Sequence, residues 1–151
     1  MRRHGFSKII AALALGLAML WWLLMLSPWL YAPPQHWPPP APALEHHLFV
    51  YGTLRTQPLR SLIVLRWVES EPASLPGFER QGLDLLPVAE GEVVGERLRL
   101  SARELQRLDR YERLGHRYYR DCLLLADGSA AWVYRRLPLP VEGVPAADCV
   151  D

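Results

Sequence analysis

The stretch Ser101–Leu114, SARELQRLDRYERL, reads as the strongest helix in the chain, and the reading of the domain works outward from it. Ser101 followed by Glu104 makes a capping box, in which each residue satisfies a backbone N–H that the first turn leaves open. Gly115 supplies the stop. At 100° per residue, Leu105, Leu108 and Glu112 fall within about 60° of one another, with Ala102 and Tyr111 beside them. Arg103, Arg107, Arg110 and Arg113 lie mostly off that face. A carboxylate thus stands on the stripe that should meet a core.

Extended segments surround this helix. Leu48–Gly52, LFVYG, reads as a buried strand ending at a glycine. Pro58–Val68 reads as a short helix followed by a strand. The segment SLPGFERQGLDLLPVAEG, residues 74–91, carries the Gly and Pro of turns around short extended pieces. Glu92–Leu100, EVVGERLRL, alternates apolar and polar residues as a half-buried strand does. Residues 117–137 read as a hairpin turning around Asp127-Gly128. Strands outnumber helices, so the expected fold is α+β, a small curved sheet or barrel with one or two helices.

The N-terminal part is of another kind. Ile9–Leu26, IIAALALGLAMLWWLLML, is uncharged, and the apolar run continues to Tyr31. Eighteen such residues can cross a hydrocarbon core of about 30 Å. Trp21, Trp22, Trp29 and Tyr31 lie toward the far end, where amphipathic rings prefer the interface. Arg2, Arg3 and Lys8 precede the run, which by the positive-inside rule keeps residues 1–8 cytoplasmic. Residues 9–31 therefore read as a single-pass signal anchor in the inner (plasma) membrane, with the bulk of the chain periplasmic or otherwise extracytoplasmic. A cleaved signal peptide is the competing reading, with the same topology. Residues 32–47 hold six prolines and read as an extended spacer, His46 and His47 being exposed linker residues. Residues 48–140 are left as the globular domain, and residues 141–151 as a loosely wrapping tail.

Composition narrows the function. Half of the residues are apolar and the formal net charge is +1. The arginines alternate with acids in the C-terminal part, which excludes a nucleic-acid track. Two cysteines, Cys122 and Cys149, are too few and too far apart for a zinc site or a CxxC motif, and whether they pair is left open. The five histidines show no metal-ligand spacing, so neither metal nor cofactor is expected.

Two local features carry chemistry. A buried carboxylate is costly unless paired, and otherwise its pKa rises. Glu112 at a pKa of roughly 6–7 would take a proton in one step and return it in the next. From the helix alone, an ion pair with an arginine or a head turned to solvent is the favoured reading. The second feature is Phe49–Arg55, FVYGTLR. A strand ending in Gly-Thr can present successive backbone N–H groups to a carboxylate or an oxyanion, or it can be a simple turn.

Taken in order, FVYGTLR, VVGERLRL, LDRYERLGHRYYR and AWVYRR resemble the γ-glutamylcyclotransferase-like superfamily over about residues 48 to 137. The resemblance implies a small mixed barrel with the ligand at one mouth and no cofactor. It implies that Tyr51, Gly52, Thr53 and Leu54 bind a small γ-glutamyl substrate largely through backbone groups. Glu112 would be the general acid/base, and Tyr118, at a YxR position with Arg120, would help line the pocket. The implied reaction cyclises a γ-glutamyl amine or peptide to 5-oxoproline and releases the amine. A non-catalytic γ-glutamyl-binding or assembly module is the alternative of a different class. Residue 113 is Arg where the family often has Gly, and the loop reads YGTL rather than the YGSN of the glutathione-degrading branch.

Overall fold

The computed structural model describes residues 3–25, 31, 40–41, 45–137 and 149. The chain divides into two compact units, Met1–Ala32 and Pro33–Asp151. In the first, α1 (Arg3–Met25) is one continuous helix whose Ser7–Leu24 window has a mean hydropathy of 1.9. By length and composition it is able to cross a membrane. The spacer reading falls mostly, and the loose-tail reading almost wholly, outside the described residues.

The second unit is built on five strands: β1 (Glu45–Val50), β2 (Ser70–Gln81), β3 (Asp84–Ser101), β4 (Tyr118–Leu124) and β5 (Ala130–Arg136). Their order is β2-β3-β1-β5-β4, antiparallel except for the parallel pair β1–β5. A short 3-10 turn, Thr53–Arg55, follows β1 and leads into α2 (Gln57–Val64); α3 (Ala102–Tyr111) follows β3.

β1 is apolar from Leu48 to Val50, where both of its faces are buried. Leu48 pairs with Leu98 of β3, and both are fully enclosed, as are Leu105 and Leu108 of α3. Phe49 points to the other face and joins a core with Leu75, Phe78, Leu123 and Val133. Gly95 makes room there: a Cβ on it would sit 2.6 Å from the Phe49 ring and 2.5 Å from the Val50 carbonyl oxygen. Alternation along β1 also explains His46. The strand begins three residues earlier than the sequence suggested, so His46 shares the buried face of Leu48 and Val50. It is not an exposed linker residue; its Nε2 lies 3.0 Å from the Ala41 carbonyl oxygen.

Three expectations need correction. The sheet is not a closed barrel. One backbone bond, from Ala126 N–H to the Ser74 carbonyl (3.0 Å), spans the gap between β2 and the turn after β4. β2 carries Pro72 and Pro76 and a register shift between Pro76 and Phe78, and prolines withhold the donors a closing ladder would need. Secondly, residues 74–91 are not short pieces: they belong to one long hairpin, with Gly77 (φ +79°) absorbing the irregularity as a bulge. Thirdly, no strand directly follows α2. A turn through Leu65 (φ +62°) intervenes and β2 starts at Ser70.

The capping box of α3 is present in both directions. Its end differs from expectation. The helix stops at Tyr111, with Glu112 as its C-cap, and the reversal falls on Arg113 (φ +54°) rather than waiting for Gly115. Leu114 N–H reaches back to the Asp109 carbonyl (2.9 Å) and Arg113 N–H to that of Arg110 (3.1 Å), the two bonds of a Schellman motif. Leu114 is buried, as that motif favours. Arg113 thus holds a left-handed conformation that suits Gly better. Arg113→Gly should raise unfolding free energy by about 0.5–1 kcal/mol, the relieved strain exceeding the added freedom of the unfolded chain. A urea midpoint that falls, with m unchanged, would contradict this account of the helix end.

Candidate active site

Every residue that the sequence singled out for the site lines one cavity of about 50 Å³: Tyr51, Gly52, Thr53, Leu54, Glu112 and Tyr118. Phe49, Val50, Leu83 and Tyr134 complete the wall. That volume has room for a few water-sized groups.

The floor is the loop after β1. Gly52 caps the 3-10 turn with ψ −136°, and a Cβ there would lie 3.3 Å from a Leu83 methyl. Glycine therefore lets the β2–β3 turn pack against the loop. The first backbone bond inside this loop runs from Arg55 N–H to the Gly52 carbonyl (3.2 Å). A turn of this kind leaves its leading N–H groups, those of Thr53 and Leu54, outside its own bonding pattern.

Two arginines hold the loop in place. Buried Arg60 donates to the carbonyls of Arg55 (3.2 Å) and Val68 (3.1 Å), to Ser70 (2.8 Å) and to Glu96 (2.6 Å). Arg80, on β2, donates to the Tyr51 carbonyl (2.6 Å) and the Gly82 carbonyl (2.7 Å). The Tyr51 hydroxyl shares its proton between the carbonyls of Tyr134 (2.9 Å) and Leu83 (3.1 Å). Loop, hairpin tip and β5 are thereby tied together around the cavity.

Glu112 faces this floor from the end of α3. The residue is half-buried, and burial pushes its carboxyl up to about 7, opposed by the charge of exposed Arg117. Among the described residues it forms no ion pair. Its neighbours are phenols: Tyr51, Tyr111, Tyr118 and Tyr134 all titrate above their ordinary value, first because they are buried and in part because of the Glu112 charge. Thr53, across the cavity, works against the rise at Tyr111.

Sequence reasoning missed the support beneath this acid. Asp109, one turn earlier and 2 % exposed, accepts a hydrogen bond from the Tyr134 hydroxyl (2.7 Å) and pairs with buried Arg120 (3.1 Å). Burial raises its pKa, and Arg120 and Tyr134 work against that rise. Arg120 also lies 4.9 Å over the Trp132 ring. The signal for Asp109 was available, since it falls between Leu105 and Glu112 on the same helical stripe. Leu83 and Arg80 had no signal, because a hairpin tip reveals nothing of what it packs on.

A small α+β domain with a half-buried acid, in no ion pair among the described residues, beside the loop after its first strand is a recognisable class. The family model described as gamma-glutamyl cyclotransferase, AIG2-like, matches residues 48–149, and the chain belongs to that family. Among solved structures, the solution structure of an Arabidopsis thaliana protein is 29 % identical with a TM-score of 0.54, covering 64 % of this chain and 72 % of that one. A second Arabidopsis thaliana solution structure is 24 % identical with the same TM-score, over 62 % and 63 % of the two chains. The crystal structure of a mouse AIG2-like protein is 23 % identical, with a TM-score of 0.49 over 71 % and 88 %. No curated protein matches the chain.

The Glu112 shift makes a stability prediction. A carboxyl raised from 4.5 to about 7 binds its proton more tightly in the folded state, so stability falls as pH rises through that window. At about 1.36 kcal/mol per unit the loss approaches about 3 kcal/mol. Between about pH 4 and about pH 8, Glu112→Gln should therefore gain by that order over the parent chain in urea unfolding. A difference between the two proteins that stays constant with pH would mean that the carboxyl is solvated.

Proposed function

We propose that this chain is a membrane-tethered γ-glutamylcyclotransferase that converts a γ-glutamyl amine or short γ-glutamyl peptide to 5-oxoproline. The observation that carries the reading is Glu112: an acid with a pKa of about 7, in no ion pair among the described residues, in one cavity with the Tyr51–Leu54 loop.

The chemistry asks little else of the protein. The α-amine of the substrate attacks its own γ-carbonyl carbon, a C–N bond closes the five-membered lactam, and the original amide C–N bond breaks. Because the attack is intramolecular, the main task is to hold the substrate folded. The N–H groups of Thr53 and Leu54 are suited to hold the substrate carboxylate or the tetrahedral oxygen. Glu112 takes a proton from the attacking amine and passes it to the leaving amine, so it ends as it began. Its pKa matches that double duty, because a stronger acid could not take the proton and a weaker one could not return it. The tyrosines around it are kept neutral by their raised pKa values and serve as hydrogen-bonding walls.

Two features support that location, α1 and a disulfide. Cys122 on β4 is bonded to Cys149 (Cα–Cα 5.7 Å), and such bonds persist in oxidising compartments. This supports a domain held outside the cytoplasm by α1, consistent with the basic N-terminus. The pairing also fastens residue 149 to β4.

The test is direct. The full chain in detergent, given a panel of γ-glutamyl amines and dipeptides, should release 5-oxoproline from at least one of them. Glu112→Gln should cut kcat by about 10²–10⁴-fold while KM changes little. If the parent chain binds a γ-glutamyl compound and turns over none, the protein is a binding module. A C-terminal reporter that works only outside the cytoplasm should be active; activity of a cytoplasm-only reporter would overturn the topology.

A further inference from the structure

The helical layer carries a surface that neither the cavity nor the core uses. Ile63 and Val64 point inward from α2, whereas Leu62, Leu65 and Trp67 at its C-terminal end and the following turn are 51 %, 62 % and 68 % exposed. Beside them runs α3, whose exposed Arg103 and half-buried Arg107 and Arg110 are spaced i, i+4 and i+7 along one stripe. The two helices are joined there: the Arg107 guanidinium donates to the Val64 carbonyl, and Arg66 pairs with Glu104 (2.6 Å). Apolar residues and arginine stripe thus share one face. Of the three acids in these segments, Glu104 is committed to Arg66 and Asp109 to Arg120, leaving exposed Glu69 against the stripe.

We propose that this face of α2 and α3 docks onto an anionic bilayer surface. Leucine and tryptophan side chains flanked by arginine are what a headgroup region accommodates: the rings and alkyl groups enter the acyl boundary while the guanidinium groups meet lipid phosphates. A second copy of the chain is disfavoured as the occupant. A two-fold contact would set the same arginine stripe against itself, whereas an anionic membrane complements it. The proposal rests on the tethered reading of α1. A tethered domain meets the bilayer at high effective concentration, so a small patch suffices where it would not recruit a diffusing protein.

The experiment uses the full chain in proteoliposomes, with a nitroxide at Leu62→Cys or, as control, at Glu79→Cys on exposed β2. The native cysteines are bonded to each other, so the label is site-specific. In vesicles of phosphatidylglycerol and phosphatidylcholine, the label at 62 should be several-fold more accessible to oxygen, relative to an aqueous nickel chelate, than the label at 79. That preference should fall in pure phosphatidylcholine and in Arg103→Glu/Arg110→Glu. The milder Arg103→Gln/Arg110→Gln serves if the first pair fails to fold. A label at 62 as aqueous as the control in anionic vesicles would overturn the proposal, and so would dipolar broadening between labels at 62, which would assign the face to a second copy. Release of the chain by alkaline carbonate would refute the anchor instead; flotation of the released chain with the same anionic vesicles then decides the docking face alone, its absence overturning the proposal.

Discussion

The buried pair of Asp109 and Arg120 is the constraint on which the site depends. Removing two charges from water costs several kcal/mol each, and here their mutual attraction is joined by a tyrosine hydroxyl that donates to Asp109 and an indole ring beside Arg120. The arrangement locks α3 to β4 through Arg120 and to β5 through Tyr134. Tyr134 extends the chain of contacts, since its carbonyl accepts from Tyr51, whose hydroxyl also reaches the hairpin tip at Leu83. Helix, sheet and hairpin are thus joined by directional bonds, where apolar packing alone would let them slide.

That lock explains how two acids on one helical stripe come to differ. Asp109 has a guanidinium and a phenol, and it is spent on structure. Glu112, one turn later at the helix end, has phenols and the charge of one exposed arginine, Arg117, with no ion pair among the described residues. Burial without a counter-charge leaves it near neutrality, which is the condition for moving protons at ordinary pH. The left-handed residue immediately after it, Arg113, turns the chain away and keeps the carboxyl at the cavity instead of continuing the helix into β4.

The same economy is visible in the loop. A ligand site made of backbone groups is only as exact as the loop that presents them, and a 3-10 turn of three residues has little rigidity of its own. Arg60 and Arg80 supply it from outside, each bridging carbonyls that would otherwise need water. The arginine stripe of α3 is concealed by the charge balance of the whole chain: a net charge of +1 is compatible with a basic stripe on one face.

Much of this was legible locally. The capping box at Ser101 and Glu104, the hairpin around Asp127-Gly128, the buried first strand and the apolar α1 all follow from interactions within a few residues, and the motifs in order pointed to the family and to the six residues that share the cavity. Helical periodicity also put Asp109 on the inward stripe, but its partners lie 11 and 25 positions away, so only packing could separate a structural acid from an unpaired one. The open sheet, the single long β2–β3 hairpin, the buried His46, the left-handed Arg113 and the bond between Cys122 and Cys149 were likewise decided by tertiary structure. Backbone hydrogen bonding and side-chain period act over one turn or one strand, and the sequence displays them directly. Burial, charge pairing and sheet closure depend on which distant surfaces meet, and those are settled only when the chain is folded.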